Sequence, residues 1–239
     1  MKKMQKTLLV MDLILILVIT AGVSQDRIAT NRIEKALNIF LQDTDKSDED
    51  KDRQEKKKVA LTFDDGPNAE FTPLMLDALK GKNVKATFFL LGSEVERFPE
   101  IVKRIHDEGH LIGNHSFKHE QLSLLTSEQA CERVNRTNKL IREIIGEDTT
   151  YLRPPFGDWK DNLDCEVNMI EVLWDIDTRD WQNQNHSKIV NRVVTKVQEN
   201  DIILMHDGYE ATVSATLEII DILKGDGYEF VTVDELILE

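Results

Sequence analysis

The sequence predicts an α/β fold, a distorted (β/α) barrel of about seven parallel strands, on three observations. Short apolar runs alternate with helical apolar patterns from Val59 onward. Glycines follow four of the helical patterns, where helices commonly end: Gly81, Gly109, Gly146 and Gly225. The segment of about 180 residues is short for a full eight-stranded barrel. We therefore expect seven strands, with an open doubly wound sheet as the alternative.

The strand-like and helical segments alternate along most of this region. The predicted strands are Val59–Phe63, Lys85–Leu91, Leu111–Asn114, Thr150–Arg153, Val172–Asp177, Ile202–His206 and Phe230–Val233. The predicted helices are Thr72–Lys80, Ile101–Glu108, Ser127–Ile145, Ser187–Glu199 and Ala211–Lys224. Parallel strands need long crossover connections, which are usually helices, so this order favours a parallel sheet.

Residues 1–23 have the composition of a signal peptide or a membrane anchor. Three lysines near the N-terminus precede an apolar run that ends at Val23. Counted from Leu8, the run is marginally long enough to span a bilayer, so both alternatives remain open. Either one predicts an exported protein, with residues 7–23 contacting the membrane and the lysines on the cytoplasmic side.

Residues 24–58 are predicted to form an amphipathic helix followed by a charged linker. Five apolar residues recur at helical spacing and therefore share one face: Ile33, Ala36, Leu37, Phe40 and Leu41. The stretch 43–58 contains no apolar residue, a composition typical of a solvated linker. The folded domain is therefore expected to occupy residues 59–239.

The charge balance narrows the choice of partners. The chain has 30 Lys and Arg against 44 Asp and Glu, a net charge of −14. Nucleic-acid binding needs a basic face, so no nucleic-acid partner is predicted, and a neutral substrate fits better than a polyanion. Two cysteines, Cys131 and Cys165, are too few for a disulfide scaffold or a CxxC zinc site. The sequence does not decide whether they pair.

Polar side chains collect at the C-terminal ends of five predicted strands, the face where parallel barrels build active sites. They are Asp64 and Asp65, His115, Arg153, Asp177 with Asp180, and His206 with Asp207. Two adjacent carboxylates repel each other unless a cation neutralises them, and neighbouring side chains at a strand end point different ways. One carboxylate of the first pair can therefore bind a metal ion while the other faces a water molecule.

His115 and His119 stand four residues apart, a spacing that places both imidazoles on one face if the segment is helical. With Asp65 they form a set of two histidines and one carboxylate, which suits a metal ion and leaves coordination positions open. The other three histidines outside the strand ends are expected to be structural: His106, His110 and His186.

Arg153 is followed by two prolines, Pro154 and Pro155, and then by Phe156 and Gly157. The prolines predict a stiff, extended turn that can present the backbone N–H of Phe156 to an anionic oxygen. His206 ends an apolar strand and has three possible carboxylate partners: Asp177, Asp180 and Asp207. A histidine paired with a carboxylate is a natural general acid or base.

These segments together resemble the polysaccharide deacetylases of carbohydrate esterase family 4, the NodB-homology domain. The matching segments occur in the family's order across residues 59–239: Thr62–Pro67, His115–His119, Arg153–Gly157, Asp177–Trp181 and Leu204–Asp207. No motif residue is missing. The resemblance therefore implies a barrel fold with a complete, metal-dependent active site.

The resemblance assigns the metal and the base. It implies that Asp65, His115 and His119 bind a divalent metal, most often zinc, with cobalt or another transition metal as alternatives. It implies that Asp64 is the general base and that Arg153 keeps Asp64 ionised and oriented.

The resemblance also assigns the acid and the substrate pocket. It implies that His206 protonates the leaving amine and that Asp180 orients His206. The backbone N–H of Phe156 would stabilise the oxyanion, while Leu204 and Trp181 would line the acetyl pocket.

The expected activity is metal-dependent removal of N-acetyl groups from an N-acetylglucosamine-containing polymer. Peptidoglycan is the expected substrate, with chitooligosaccharides and N-acetylmuramic acid residues as alternatives. The protein would be anchored in the cell membrane facing the wall, or secreted. A non-catalytic wall-binding protein would predict a broken site, and a phosphodiesterase would need cations that this acidic domain offers sparsely.

Overall fold

The computed structural model describes residues 57–158 and 169–237. The predicted signal peptide or anchor, the amphipathic helix, the linker up to residue 56 and Cys165 all lie outside the described residues. No helix in the described part of the chain is long and apolar enough to cross a bilayer. The first strand begins at Lys57, two residues before the predicted start of the domain.

One sheet of eight parallel strands forms the centre of the described domain. The strands are β1 Lys57–Asp64, β2 Thr87–Leu90, β3 Leu111–Asn114, β4 Tyr151–Leu152, β5 Ile170–Glu171, β6 Ile176–Asp177, β7 Ile202–His206 and β8 Tyr228–Val231. The predicted strand Val172–Asp177 is therefore wrong in part. The chain leaves the sheet between β5 and β6, where the carbonyl oxygens of Val172 and Leu173 instead accept hydrogen bonds from the guanidinium of Arg153.

The strand order identifies a distorted barrel. The order across the sheet is β5-β4-β3-β2-β1-β7-β6, and β8 pairs with the first half of β1. Strand numbers thus run consecutively from β6 through β7 and β1 to β5, as they do around a barrel. In a doubly wound sheet β6 would lie next to β1 and β7 beyond it, whereas here β7 lies next to β1, so that alternative is wrong. No ladder joins β5 to β6 within the described ranges, so the barrel is open there.

Helices cover the outside of the sheet. They are α1 Phe71–Lys82, α2 Gly92–Arg97, α3 Pro99–Asp107, α4 Ser127–Ile145, α5 His186–Val194, α6 Glu210–Gly225 and α7 Val233–Ile237. All five predicted helices are present, although α5 ends five residues early. The short helices α2 and α7 were not predicted, because six or fewer residues are too few to give a clear helical period. Cys131, on α4, is disulfide-bonded.

Two of the four predicted glycine caps are present. Gly146 caps α4 in the left-handed region, with φ 81°, and Gly109 adopts φ 77° just beyond α3. The other two predictions are wrong. Gly81 lies inside α1, which ends instead at the left-handed Asn83, and Gly225 is the last residue of α6. An asparagine tolerates the left-handed conformation well enough to replace glycine at such a position.

Successive side chains of β1 point alternately to the core outside the sheet and to the interior of the barrel. Val59, Leu61 and Phe63 pack in the main apolar cluster with residues of the surrounding helices. Ala60 belongs to a second cluster, inside the barrel, with Phe89, Tyr151, Val172 and Val233. Because successive side chains point to opposite faces of a strand, Thr62 and Asp64 share the inner face with Ala60. The interior of the barrel therefore leads directly to the carboxylate at the end of β1.

Candidate active site

The C-terminal ends of the strands enclose a cavity of about 360 Å³. Eight of the ten predicted site residues line it: Asp64, Asp65, His115, His119, Phe156, Trp181, Leu204 and His206. The other two, Arg153 and Asp180, are fully buried behind the wall, and each contacts a residue that lines the cavity. The structure thus brings the ten residues together as one site.

Asp65, His115 and His119 form the candidate metal centre. Three potential ligand atoms, one from each residue, all lie within 4.8 Å of one another. The Nε2 atoms of His115 and His119 are 3.5 and 3.7 Å from Oδ1 of Asp65. Two imidazoles and one carboxylate at such distances fit a divalent transition metal and leave positions for water and substrate.

The tautomer of His115 leaves Nε2 free to bind a metal ion. Its Nδ1 is 2.6 Å from the carbonyl oxygen of Arg153, which can only accept a hydrogen bond, so Nδ1 carries the proton. The lone pair of Nε2 therefore faces Asp65 and the metal position. Burial lowers the pKa of His115, which keeps the imidazole neutral.

The segment that carries both histidines is not helical, so the two imidazoles do not meet on a helical face. Residues 115–119 form a turn in which Ser116 and His119 have left-handed backbone angles, with φ 65° and 58°. The side chain of Asn114 accepts a hydrogen bond from the N–H of Ser116 and fixes the start of this turn. The two imidazoles still meet, edge to face, with ring centroids 5.0 Å apart.

Arg153 fixes Asp64 in the barrel interior. Asp64 is 3 % exposed and Arg153 is 0 % exposed. Arg153 donates from Nη1 to Oδ1 of Asp64 at 2.8 Å and to Oγ1 of Thr62 at 2.6 Å. Its guanidinium also lies over the ring of Phe89. The second oxygen of Asp64 is 3.7 Å from Nε2 of His115, so the free side of the carboxylate faces the candidate metal centre.

His206 and Asp180 form the second charged pair. Nδ1 of His206 is 2.8 Å from Oδ1 of Asp180. Asp180 also accepts hydrogen bonds from the backbone N–H of His206, the backbone N–H of Trp181 and the hydroxyl of Thr212. Burial lowers the pKa of His206, but the hydrogen bond and charge of Asp180 outweigh it and raise the pKa to about 9. Nε2 of His206 is 4.0 Å from Oδ2 of Asp65.

The structure selects Asp180 from the three carboxylates predicted as partners of His206. Asp177 accepts a hydrogen bond from the backbone N–H of Arg179 and lines the cavity without bonding to His206. Asp207 points away, into a hydrogen bond with Thr72, and burial raises its pKa to about 7. Among the described residues, Asp180 is therefore the carboxylate that hydrogen-bonds to His206.

Aromatic and apolar side chains form the rest of the cavity wall. Phe156 is 65 % exposed and Trp181 is 52 % exposed, whereas Leu204 is buried. Phe156 has a left-handed backbone, with φ 65°, and its ring meets His119 edge to face at 4.6 Å. An open apolar rim of this kind suits the apolar face of a sugar ring and the methyl group of an acetyl substituent.

Sequence reasoning missed three threonines that support the site: Thr62, Thr72 and Thr212. Alternation along β1 could have identified Thr62, because it shares a face with Asp64. Thr72 and Thr212 lie in the first turns of α1 and α6, and nothing in their spacing connects them to the motifs.

Of the histidines predicted to be structural, His110 is buried near the start of β3 and accepts a hydrogen bond from the N–H of Ala86.

Comparison with known proteins agrees with this geometry. Residues 51–172 match the family model described as polysaccharide deacetylase. The chain is 42% identical over 181 residues to the peptidoglycan-N-acetylmuramic acid deacetylase PdaC of Bacillus subtilis, covering 76% of this chain and 39% of PdaC. It is 41% identical over 188 residues to a peptidoglycan-N-acetylglucosamine deacetylase of Bacillus cereus, covering 76% of this chain and 68% of that protein.

Solved structures show the same fold. The structure of PdaC matches with a TM-score of 0.73 at 42% identity, covering 76% of this chain and 90% of that chain. A CE4 family pseudoenzyme from Bacillus anthracis matches with a TM-score of 0.71 at 31% identity, covering 76% and 66%. The chain belongs to the polysaccharide deacetylase family. It spans about two fifths of the length of PdaC.

We expect Asp65→Ala, His115→Ala and His119→Ala each to abolish tight binding of a divalent metal, because a three-ligand site has no spare ligand. Zinc titration against a chromophoric chelator measures this directly. Asp64→Asn is the matched control, since it changes the adjacent carboxylate and leaves the three ligands in place. It should retain the metal. It should also unfold at a lower temperature, because leaving Arg153 buried without its counter-charge lowers the free energy of unfolding by about 3–5 kcal/mol. A ligand variant with wild-type zinc affinity would remove that residue from the metal centre.

Proposed function

We propose that the protein hydrolyses N-acetyl groups from N-acetylglucosamine residues of peptidoglycan and releases acetate. The observation that carries this proposal is the arrangement of two ion pairs around one candidate metal centre. Asp64, paired with Arg153, lies 3.7 Å from the candidate ligand His115. His206, paired with Asp180, lies 4.0 Å from the candidate ligand Asp65. Amide hydrolysis needs a base for water and an acid for the amine, and the site offers one of each.

The donor set fits zinc, with cobalt or another transition metal as alternatives. A divalent ion held by Asp65, His115 and His119 supplies a Lewis acid for the acetamide carbonyl and lowers the pKa of water. The backbone N–H of Phe156, in the turn beside His119, is the proposed second stabiliser of the oxyanion.

Asp64 is the proposed general base. Its outer oxygen faces the metal centre, so it can accept a proton from the attacking water. Arg153 holds the other oxygen at 2.8 Å and thereby fixes the orientation of the carboxylate. Both partners are almost completely buried, and the guanidinium is the counter-charge of the carboxylate.

His206 is the proposed general acid. Asp180 bonds to Nδ1, so Nε2 is left to donate its proton to the amide nitrogen as the C–N bond breaks. Because the pKa of His206 is about 9, the imidazole is protonated at neutral pH and ready to act as an acid. Leu204 and Trp181 would enclose the acetyl methyl group between the two ion pairs.

Three observations support peptidoglycan as the substrate. Similar proteins are named as deacetylases of its two sugars, N-acetylglucosamine and N-acetylmuramic acid. The acidic chain suits a neutral glycan that becomes cationic on deacetylation. Residues 1–23 have an export composition, and we infer that the protein acts outside the membrane, either anchored or secreted. The complete set of site residues argues against a non-catalytic wall-binding protein.

We expect the purified protein to release acetate from peptidoglycan when zinc is present and to lose this activity after chelation. Muramidase digestion and mass spectrometry of the products would locate the new amines. The proposal expects them on glucosamine. If the new amines were confined to muramic acid, or if activity were confined to chitooligosaccharides, the proposed reaction would stand and the proposed substrate would be wrong. An absence of acetate release from all three substrates by a zinc-loaded protein would overturn the proposed activity.

Asp64→Asn and His206→Ala should both lose activity on the glycan, by about 10²–10⁴-fold each, because both groups transfer protons. An acetate ester of an acidic phenol has a leaving group that needs no proton. It should therefore restore much of the rate of His206→Ala and little of the rate of Asp64→Asn. Initial rates on the ester and on the glycan, compared for each variant with bound zinc quantified, measure the difference. Equal restoration of both variants would contradict the assigned roles.

The pKa of His206 should fall in Asp180→Asn, because the variant removes the charge and the acceptor that raise it. NMR titration of the metal-free wild type should show an imidazole that titrates near pH 9, and this signal should move to lower pH in the variant. An acid must be protonated to act, so activity is lost as pH rises through its pKa. The alkaline limb of kcat/KM should therefore also move to lower pH.

Asp177→Asn is the control for this shift, because Asp177 lines the same cavity without bonding to His206. It should leave the titration of His206 close to that of the wild type. A His206 signal that stays in place in Asp180→Asn, or that moves equally in both variants, would show that Asp180 does not set the pKa.

A further inference from the structure

Asp207 is a buried carboxylate that the proposed chemistry does not use. It follows His206 at the end of β7 and is 1 % exposed. Its Oδ2 accepts a hydrogen bond from the hydroxyl of Thr72 at 2.5 Å, and its Oδ1 has no hydrogen-bond partner among the described residues. Burying a carboxyl group is costly, so its retention here needs a reason beyond packing.

Thr72 connects Asp207 to the loop between β1 and α1. Oγ1 of Thr72 accepts a hydrogen bond from the backbone N–H of Asn68 at 2.7 Å. The side chain of Asn68 in turn accepts from the backbone N–H groups of Glu70 and Phe71, both at 2.9 Å. A continuous chain of hydrogen bonds therefore runs from the end of β7 through Thr72 into the loop that carries Asp65.

Asp207 also packs directly on this loop. A Cβ atom on Gly66 would lie 2.7 and 2.8 Å from the two carboxylate oxygens of Asp207, so only glycine fits between Asp65 and Pro67. Asp65 itself has a left-handed backbone, with φ 71°. Aspartate adopts this conformation more readily than most residues with a side chain, but contacts around the loop are still needed to fix it. Asp207 supplies such a contact on one side of the loop.

We propose that Asp207 is a positioning residue for the candidate metal ligand Asp65. Through Thr72 and Gly66 it ties the β1–α1 loop to β7, the strand that carries His206. Oδ1 of Asp65 then stays within 3.7 Å of both histidine Nε2 atoms. The inference rests on the metal centre of the proposed function and adds a reason why that centre is formed before metal binds.

The test measures zinc affinity in the full chain, by competition with a chromophoric chelator and without any substrate. Thr72→Val keeps the shape of the side chain and removes the hydroxyl, and Asp207→Ala removes the carboxylate. We expect each variant to bind zinc about 10–100-fold more weakly, the range typical of residues that orient metal ligands. Thr72→Ser retains the hydroxyl and should restore affinity to within about twofold of the wild type.

Thr149→Val is the matched control. Thr149 is also buried, and its hydroxyl donates to the carbonyl of Ile112 near the opposite end of the sheet. This variant should lose stability in a thermal melt and keep its zinc affinity, which separates positioning from a general loss of packing. Zinc affinity that is unchanged in Thr72→Val and Asp207→Ala would overturn the proposal. So would an equal loss of affinity in Thr149→Val.

A double variant tests whether Thr72 and Asp207 act through the same contacts. Because Thr72 and Asp207 act through one chain of contacts, Thr72→Val combined with Asp207→Ala should weaken zinc binding little more than Asp207→Ala alone. Fully additive losses would show that the two residues act separately. Failure of the proposed function is distinguishable, since it would leave these zinc affinities as expected while the wild type released no acetate.

Discussion

The buried ion pair between Arg153 and Asp64 constrains the rest of the structure. Arg153 is completely buried, and each of its donor nitrogens needs an acceptor inside the barrel. Thr62, Asp64 and the carbonyl groups of Val172 and Leu173 provide these acceptors. The interruption between β5 and β6 is a consequence, because two carbonyl groups that would otherwise extend the sheet face the guanidinium. The barrel is distorted on the side where this charge is accommodated.

A second ion pair, His206 with Asp180, faces the same site. Asp64 and His206 are direct neighbours in the β1–β7 register, so the proposed base and acid begin from adjacent strands. Asp180 favours the imidazolium form of His206 and raises its pKa to about 9, whereas Arg153 is the counter-charge of Asp64. The proposed base therefore has a cationic partner, and the proposed acid has an anionic one. Asp65, which with His115 and His119 would hold a metal ion, is 4.0 Å from His206.

Local patterns in the sequence predicted most of this arrangement, and contacts between distant segments account for the remainder. Apolar alternation located the strands, and the position of polar residues at strand ends predicted which side chains would meet, because parallel strands end at one edge. The partner of His206 could not be chosen in advance, since Asp177, Asp180 and Asp207 are all close in sequence and only the course of the loops separates them. The spacing of His115 and His119 likewise did not decide the local structure of residues 115–119. The spacing allowed a shared face, while the left-handed Ser116 and His119 reach the same contact through a turn.

The ion pair also links stability to catalysis in a way that bears on inactive members of this fold. Losing Asp64 alone would leave a buried guanidinium without a counter-charge, which is strongly destabilising, whereas replacing both partners with apolar residues is often neutral. A barrel of this kind can therefore lose the carboxylate at this position with little loss of stability only if the arginine is replaced at the same time. In this chain both partners are present, and so are the second pair and the three candidate ligands. The proposed activity requires all of these groups together, and packing alone does not explain the burial of Asp64, Arg153 and Asp180.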